Sequence, residues 1–262
     1  MLKVCVKDST DYYFWQTLYD DGAALDVQLT TCGTTPTVAK GGSLTVTRAS
    51  SQIAIAGGCA VTASSNQLAI TPKGALIWGA GTNQLSNSLT TGTAYQATVT
   101  AATTDVTDPM GGHNAIKICD TNQAGTHAFY QTFSASAGSV GSVYMKAGTK
   151  AWGFMAVGTG TQNNFTYDLT NCTAIGSSGG AESTGVNGWC RLWDNATTNN
   201  QFWMGTATAS GTANYTGDGT GCVYVWGEQV ETFASATLPI VMPPGPYTPT
   251  TSAPVSWPAT VV

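Results

Sequence analysis

Glu228 and Glu231 are two carboxylates three residues apart, the first pair in this chain whose types suggest chemistry. A glycosidase needs two carboxyls facing one another at about 5–10 Å. The run that holds them, Gly221-Cys-Val-Tyr-Val-Trp-Gly-Glu-Gln-Val-Glu231, is rich in β-branched and aromatic residues and reads as a strand. Side chains alternate along a strand, so the two glutamates fall on opposite faces and do not make such a pair. Asp168 or Asp194 would have to supply the second carboxyl, and nothing in the spacing calls for it. His113 and His127 have no Ser or Cys motif beside them, and no Gly-x-Ser-x-Gly elbow occurs. No catalytic residue is assigned, and the chain reads as a non-enzyme.

Binding chemistry has a clearer outline. Sugar-binding proteins set aromatic rings against sugar faces and Asp, Asn or Arg against hydroxyls. Trp189, Arg191 and Trp193 share one strand face and alternate with Cys190, Leu192 and Asp194. Trp193, Trp203, Arg191 and Asp194 are the candidate carbohydrate-binding residues. Core packing competes with this reading and is favoured for Trp189 and Trp226, because tryptophan buries a large area in any β-sandwich. Arg191 is expected to pair with Glu228. Asp105 with Asp108, or Asp218-Gly-Thr-Gly221, have oxygens for a hard cation. Neither completes a binding loop and turn chemistry explains both, so no metal and no cofactor is expected.

These groups need elements to position them. Hydrophobic residues make up 42% of the 262 residues and charged ones only 9%, well below the ~25% of ordinary chains. Eight tryptophans call for a core, so the composition is not that of a disordered chain. Few charges leave little electrostatic defence against association, which suits a chain inside a larger assembly. The net charge is -5 and only Arg48 and Arg191 are arginine, so no nucleic-acid partner is expected. No apolar run approaches the ~20 residues that cross a bilayer, and no membrane insertion or signal peptide is expected. Seven scattered cysteines without zinc spacing read as buried free thiols made in a reducing cytoplasm.

Short apolar-alternating runs recur about every ten residues between turn signals. Examples are Leu44-Thr-Val-Thr-Arg48, Ala115-Ile-Lys-Ile-Cys119, His127-Ala-Phe-Tyr-Gln-Thr-Phe133 and Gln201-Phe-Trp-Met204. Ser142-Val-Tyr-Met-Lys146 and Ala151-Trp-Gly-Phe-Met-Ala-Val157 are separated by a hairpin-sized connection. The pattern predicts an all-β sandwich or jelly roll. The strand at 221–231 is apolar on both faces up to Gly227, which places it centrally and covered on both sides. Residues 1–22 form an N-terminal segment whose aromatic cluster, Tyr12, Tyr13, Phe14 and Trp15, is a candidate for anchoring to a neighbouring subunit. The sandwich is expected over 23–237, with 23–74 either contributing to it or forming a small subdomain. Residues 238–262 hold most of the prolines and are expected as an extended tail along a surface, a second anchoring candidate.

At this point the ordered motifs resemble a family of tailed-bacteriophage virion proteins with a concanavalin A-like jelly-roll domain. Gly188-Trp-Cys-Arg191 is similar to that family's "GWYR" strand, with Cys190 in place of the aromatic. Tyr224-Val-Trp-Gly-Glu-Gln-Val-Glu231 is similar to its "YLWGAQLE" strand, and Pro246-Tyr-Thr-Pro-Thr250 to its "TSYIPT" tail. Leu44-Thr-Val-Thr-Arg-Ala-Ser50 resembles "TFTRAS", and Ser142-Val-Tyr-Met-Lys-Ala-Gly148 resembles "SVYMKAG". Ala75-Leu-Ile77 with Thr82-Asn83, and Asp108-Pro-Met-Gly-Gly112 with Ala115-Ile-Lys-Ile118, fall in the family's order between them. The resemblance spans about residues 23–255. It implies an antiparallel jelly-roll β-sandwich with extended terminal segments. It also implies a structural protein on the virion surface, of head or tail, made in the host bacterial cytoplasm and bound to other phage virion proteins. A homo-oligomer, most simply a trimer, suits that setting. The alternative is a lectin-like tail protein that binds host surface polysaccharide, and a depolymerase ranks below it.

Overall fold

The computed structural model describes residues 3–7, 13–17, 26–28, 32–33, 37–40, 51–67, 69–71, 74–76, 81–88, 95–97, 99–103, 105–136, 138–158, 166–175, 179–196, 199–209, 212–233 and 244–257. Tyr12, the expected strand at 44–48, and tail residues 238–243 and 258–262 lie outside these. Among the described residues the chain forms strands and turns only. β1 (Lys3–Lys7) pairs with β2 (Tyr13–Thr17), and β3 (Asp26–Gln28) pairs with β4 (Thr37–Lys40). β5 (Gln52–Ala56) and β6 (Cys59–Ala63) make a hairpin, as do β7 (Ala69–Thr71) and β8 (Gly74–Leu76). There follow β9 (Gly81–Asn83), β10 (Tyr95–Ala97), β11 (Val99–Thr103), β12 (Ile116–Asp120), β13 (Ala124–Thr126), β14 (Ala128–Ser136), β15 (Gly138–Ala147) and β16 (Trp152–Val157). The last are β17 (Thr166–Asp168), β18 (Thr173–Ile175), β19 (Gly179–Ser183), β20 (Cys190–Ala196), β21 (Asn199–Thr206), β22 (Asn214–Thr216), β23 (Cys222–Phe233) and β24 (Val255–Trp257).

Two antiparallel sheets carry the fold. One runs β10-β14-β21-β16-β17-β18; the other runs β11-β12-β23-β15-β20-β19, with β9 and β24 attached beside β23. They face each other across a core of Phe129, Phe133, Met155, Val157, Phe202 and Met204 from the first sheet. The second sheet supplies Ile116, Ile118, Val143, Met145, Leu192, Val223, Val225 and Val230. Each of these side chains contributes about 1.5–3 kcal/mol when fully buried. The chain is an all-β antiparallel sandwich, as its alternating runs predict.

Some expectations change. The connection at 147–150 is not a hairpin: β15 and β16 belong to different sheets, and the chain arches from one to the other. Loop length alone does not separate a hairpin from an arch. Here Gly148 passes so close to the Cys222 carbonyl that a Cβ would stand 2.5 Å from its oxygen. The free-thiol reading is also overturned, because six cysteines pair as Cys32–Cys59, Cys119–Cys222 and Cys172–Cys190. Their separations of 27, 103 and 18 residues carry no local signal. Tertiary pairing brings the partners together, as where Cys119 stands opposite Cys222 in the β12–β23 ladder.

Residues 51–67 and 69–71 stay outside the two main sheets, yet they are not detached from them. The Gly57-Gly58 turn of the β5–β6 hairpin has positive φ at both residues, 61° and 81°, the geometry glycine supplies at least cost. Its tip docks through the Gly58 N–H, which donates to Thr184 O at 2.7 Å. Ile55 then packs on the outer face of the eight-stranded sheet.

Candidate functional site

That outer face carries an aromatic cluster covered by the tail. On β20 the odd positions point outward and the even ones inward: Cys190 and Leu192 enter the core between the sheets while Trp189 does not. Across the strands, Tyr144 lies opposite both Arg191 and Trp226, so these three form one row. The Arg191 guanidinium sits 5.4 Å from the Tyr144 ring centre. Tyr247 arrives from the tail and closes the group, 4.7 Å from Trp226 and edge-on to Tyr144 at 6.2 Å. Trp189 is fully buried and its indole N–H donates to Thr107 O at 3.0 Å.

The phase of β23 changes at Gly227. Its register against β15 slips between Ser142 and Tyr144, and Gly227 has φ +67°. This is a β-bulge, one extra residue on β23. Before it, Val223 and Val225 face the core and Tyr224 and Trp226 face outward; after it, Val230 faces the core. Glu228 consequently turns inward and accepts a hydrogen bond from Gln131 Nε2 of the opposite sheet. The expected Arg191–Glu228 pair does not form, because the bulge puts the two on opposite faces. Burial pushes the Glu228 carboxyl up to about 8, and its Oε1 has no hydrogen-bond partner.

The tail straps this face. Gly245 N–H donates to Glu231 Oε1 at 2.7 Å, and Arg191 Nη2 donates to Gly245 O at 2.5 Å. Thr248 N–H donates to Gln229 Oε1, and Gln229 Nε2 in turn to Glu231 Oε1. Asn83 donates to Thr248 O and Glu228 O and accepts from Val230 N–H, so one amide fastens the strap to β23. Ser88 accepts from Thr250 N–H, and Ser88 N–H donates to Thr250 O. β24 ends the strap on β9. Burial raises the Glu231 carboxyl, while Gln229, Arg191 and the Gly245 N–H act against that rise. In the described part of the tail, Tyr247, Thr248, Thr250 and Trp257 are buried against their own chain. These four side chains are therefore not available as anchors to another subunit.

The four candidate sugar-binding residues do not converge. Arg191 and the half-buried Trp193 share the strapped face, where Trp193 covers Gly180. Asp194 points into the core and accepts the Val157 N–H of the opposite sheet at 3.0 Å. Trp203 lies on the far side of the sandwich, stacked on Tyr130 at 4.2 Å, its indole N–H donating to Gly158 O. Of the aromatic anchoring candidates, Tyr13, Phe14 and Trp15 fall in β2, paired with β1.

Glu228 and Glu231 point to opposite sides of β23, as alternation required. His127 hydrogen-bonds Tyr215 O, and His113 hydrogen-bonds Asp105 O. Asp108 spends its carboxylate on the N–H groups of Met110, Gly112 and Asn114, and Asp218 spends its on Thr220, so both serve turns. Among the described residues no three His, Cys, Asp or Glu side chains gather to hold a metal. At the end of β12, Asp120 collects the Tyr215 hydroxyl, the Gly221 N–H and Lys150, 3.4 Å away.

Tyr144, Tyr247, Asn83 and Gln229 lie inside motif pieces of the resemblance, but neither they nor Gly245 had a role assigned from sequence. Gly227 inside an otherwise strong strand is a local signal, since such a glycine often marks a bulge. No protein-family model matches this chain, and no curated protein matches it.

Proposed function

We propose that this chain is a non-enzymatic structural protein of a tailed-bacteriophage particle. It is displayed on the particle surface and held to neighbouring virion subunits, and its sandwich is read as a concanavalin A-like jelly roll. One observation carries the reading. Four of the motif pieces behind the resemblance are far apart in sequence but adjacent in space. Ser142–Gly148 runs along β15 and its end, Gly188–Arg191 leads into β20, and Tyr224–Glu231 lies in β23; β20, β15 and β23 are neighbours in one sheet. Pro246–Thr250 is the strap across them, with Tyr247 against Tyr144 and Trp226. A chance set of short matches has no reason to share one packing unit. That coherence favours a common fold with the virion family, and fold alone does not assign a ligand.

Immunogold labelling tests this. Particles released by cells that carry the coding sequence are purified and probed with antibody to this chain. Label over the head or along the tail of intact particles is the expected outcome. Particles that contain no trace of the chain by labelling and by mass spectrometry overturn the reading.

A further inference from the structure

The three disulfides share an asymmetry. In each pair one residue is accessible and the other is not. Cys32 is exposed and Cys119 and Cys172 are half-buried, whereas Cys59, Cys222 and Cys190 are only 2%, 4% and 0% exposed. Each pair is also brought together by structure that does not need the bond. Cys119 and Cys222 close a ladder already set by Ile116↔Val225, Lys117↔Tyr224 and Ile118↔Val223. Cys59 is held by the β5–β6 hairpin, and Cys32 adjoins Gly33, which exchanges two backbone hydrogen bonds with Ile70. Cys190 Sγ lies 3.3 Å from Leu169 O, at the turn that carries Cys172. In that turn the Asp168 carboxylate accepts the N–H groups of Thr170 and Asn171.

We propose that Cys32, Cys119 and Cys172 are entry sites for oxidation of an already folded dithiol chain. The oxidant is a low-molecular-weight disulfide, RSSR. The accessible thiolate attacks one sulfur of RSSR, forming a mixed disulfide and releasing RS⁻. The buried partner thiol then gives its proton to RS⁻ and attacks the entry sulfur, and a second RS⁻ leaves and takes up a proton from solvent. Two protein thiols become one disulfide and RSSR becomes two RSH. Thiolate attack depends on access, so the buried members act only as resolving sulfurs. A chain folded in a reducing compartment would acquire its three cross-links on leaving it, without rearrangement.

The test uses the full chain isolated under reductant and shown folded by circular dichroism. N-ethylmaleimide, read by peptide mapping, should modify Cys32, Cys119 and Cys172 at least about ten-fold faster than Cys59, Cys190 and Cys222. Glutathione disulfide should then yield the three pairs without denaturant. In Cys190→Ser, a glutathione adduct should accumulate on Cys172. Equal alkylation of all six, pairing that needs denaturant, or pairs that include Cys5 would overturn the proposal. So would a reduced chain that fails to fold, since pre-registered pairs are its premise.

Discussion

Arg191 and Glu231 grip the same residue from opposite ends. The guanidinium donates to the carbonyl of Gly245, and the carboxylate accepts that residue's N–H. The two side chains never form an ion pair in the described structure; a backbone unit of the strap lies between them. Unlike charges on one face of a sheet thus serve to fix the register of a segment that has no ladder of its own at this point.

Removing one grip should loosen the strap. Arg191→Ala leaves the Gly245 carbonyl without its charged donor and uncovers the Tyr144 ring. A hydrogen bond to a charged group is worth about 1.5–3 kcal/mol, and a loss of that size is expected in urea unfolding. Hydrogen exchange should rise at Thr248 and Thr250 before it rises in β15. A variant with unchanged exchange at those amides would show that the grip does not hold the strap.

Gly245 sits in a tight place. A Cβ there would stand 3.0 Å from Glu231 Oε2 and 3.1 Å from the Trp257 ring, so these side chains must give by a few tenths of an ångström. Gly245→Ala should cost about 1 kcal/mol, the low end of what overpacking costs. Gly227→Ala should cost a similar amount for a second reason, because its φ of +67° lies where only glycine is unstrained. The midpoint of chemical unfolding measures both.

Glu228 makes stability depend on pH in a definite direction. Its carboxyl rises from 4.5 to about 8 on folding, because burial disfavours the charge. Below pH 4.5 it is protonated in both states and contributes nothing to the difference. Between 4.5 and 8 the folded state must keep a proton that the unfolded state has released. Stability therefore falls with rising pH by about 1.4 kcal/mol per unit across that window and levels off above it. Glu228→Gln keeps an acceptor for Gln131 and removes the ionisable group. It should unfold at higher temperature than the wild type at pH 8, with the advantage gone at pH 4. An equal gain at both pH values would place the effect elsewhere.

Trp193 and Trp203 offer a direct check on the sugar-platform expectation. They stand on opposite outer faces of the sandwich, and sites this far apart should not couple. The stability losses of Trp193→Ala and Trp203→Ala should add to within about 0.5 kcal/mol in the double variant. A larger coupling would require a shared environment that the geometry does not provide.

The strand pattern was legible because alternation is a local property. His127, Phe129, Gln131 and Phe133 share a face by spacing alone, and Phe129 and Phe133 do enter the core. The central, doubly covered position of 221–231 followed from two apolar faces. What failed depends on a single residue or on distant ones. Reading β23 as uninterrupted placed Trp226 and Glu228 together, and the extra residue at Gly227 separates them. Asn83 and Ser88 sit in a polar, threonine-rich run with no periodicity, so nothing local marks them as the fasteners of a strap some 160 residues later. The three cysteine pairs are invisible for the same reason.

The strap also imposes an order in time. Tyr144 and Trp226 are synthesised before Tyr247, the ring that covers them. From Trp226 to Tyr247 the ribosome adds 21 residues, which takes about one to four seconds at ~5–20 residues per second. For that interval the nascent chain carries an uncovered aromatic row beside a lone arginine. A message cut short before residue 247 would leave the row uncovered permanently. Such products should be sticky and short-lived, because the ring that covers the row is always made after it.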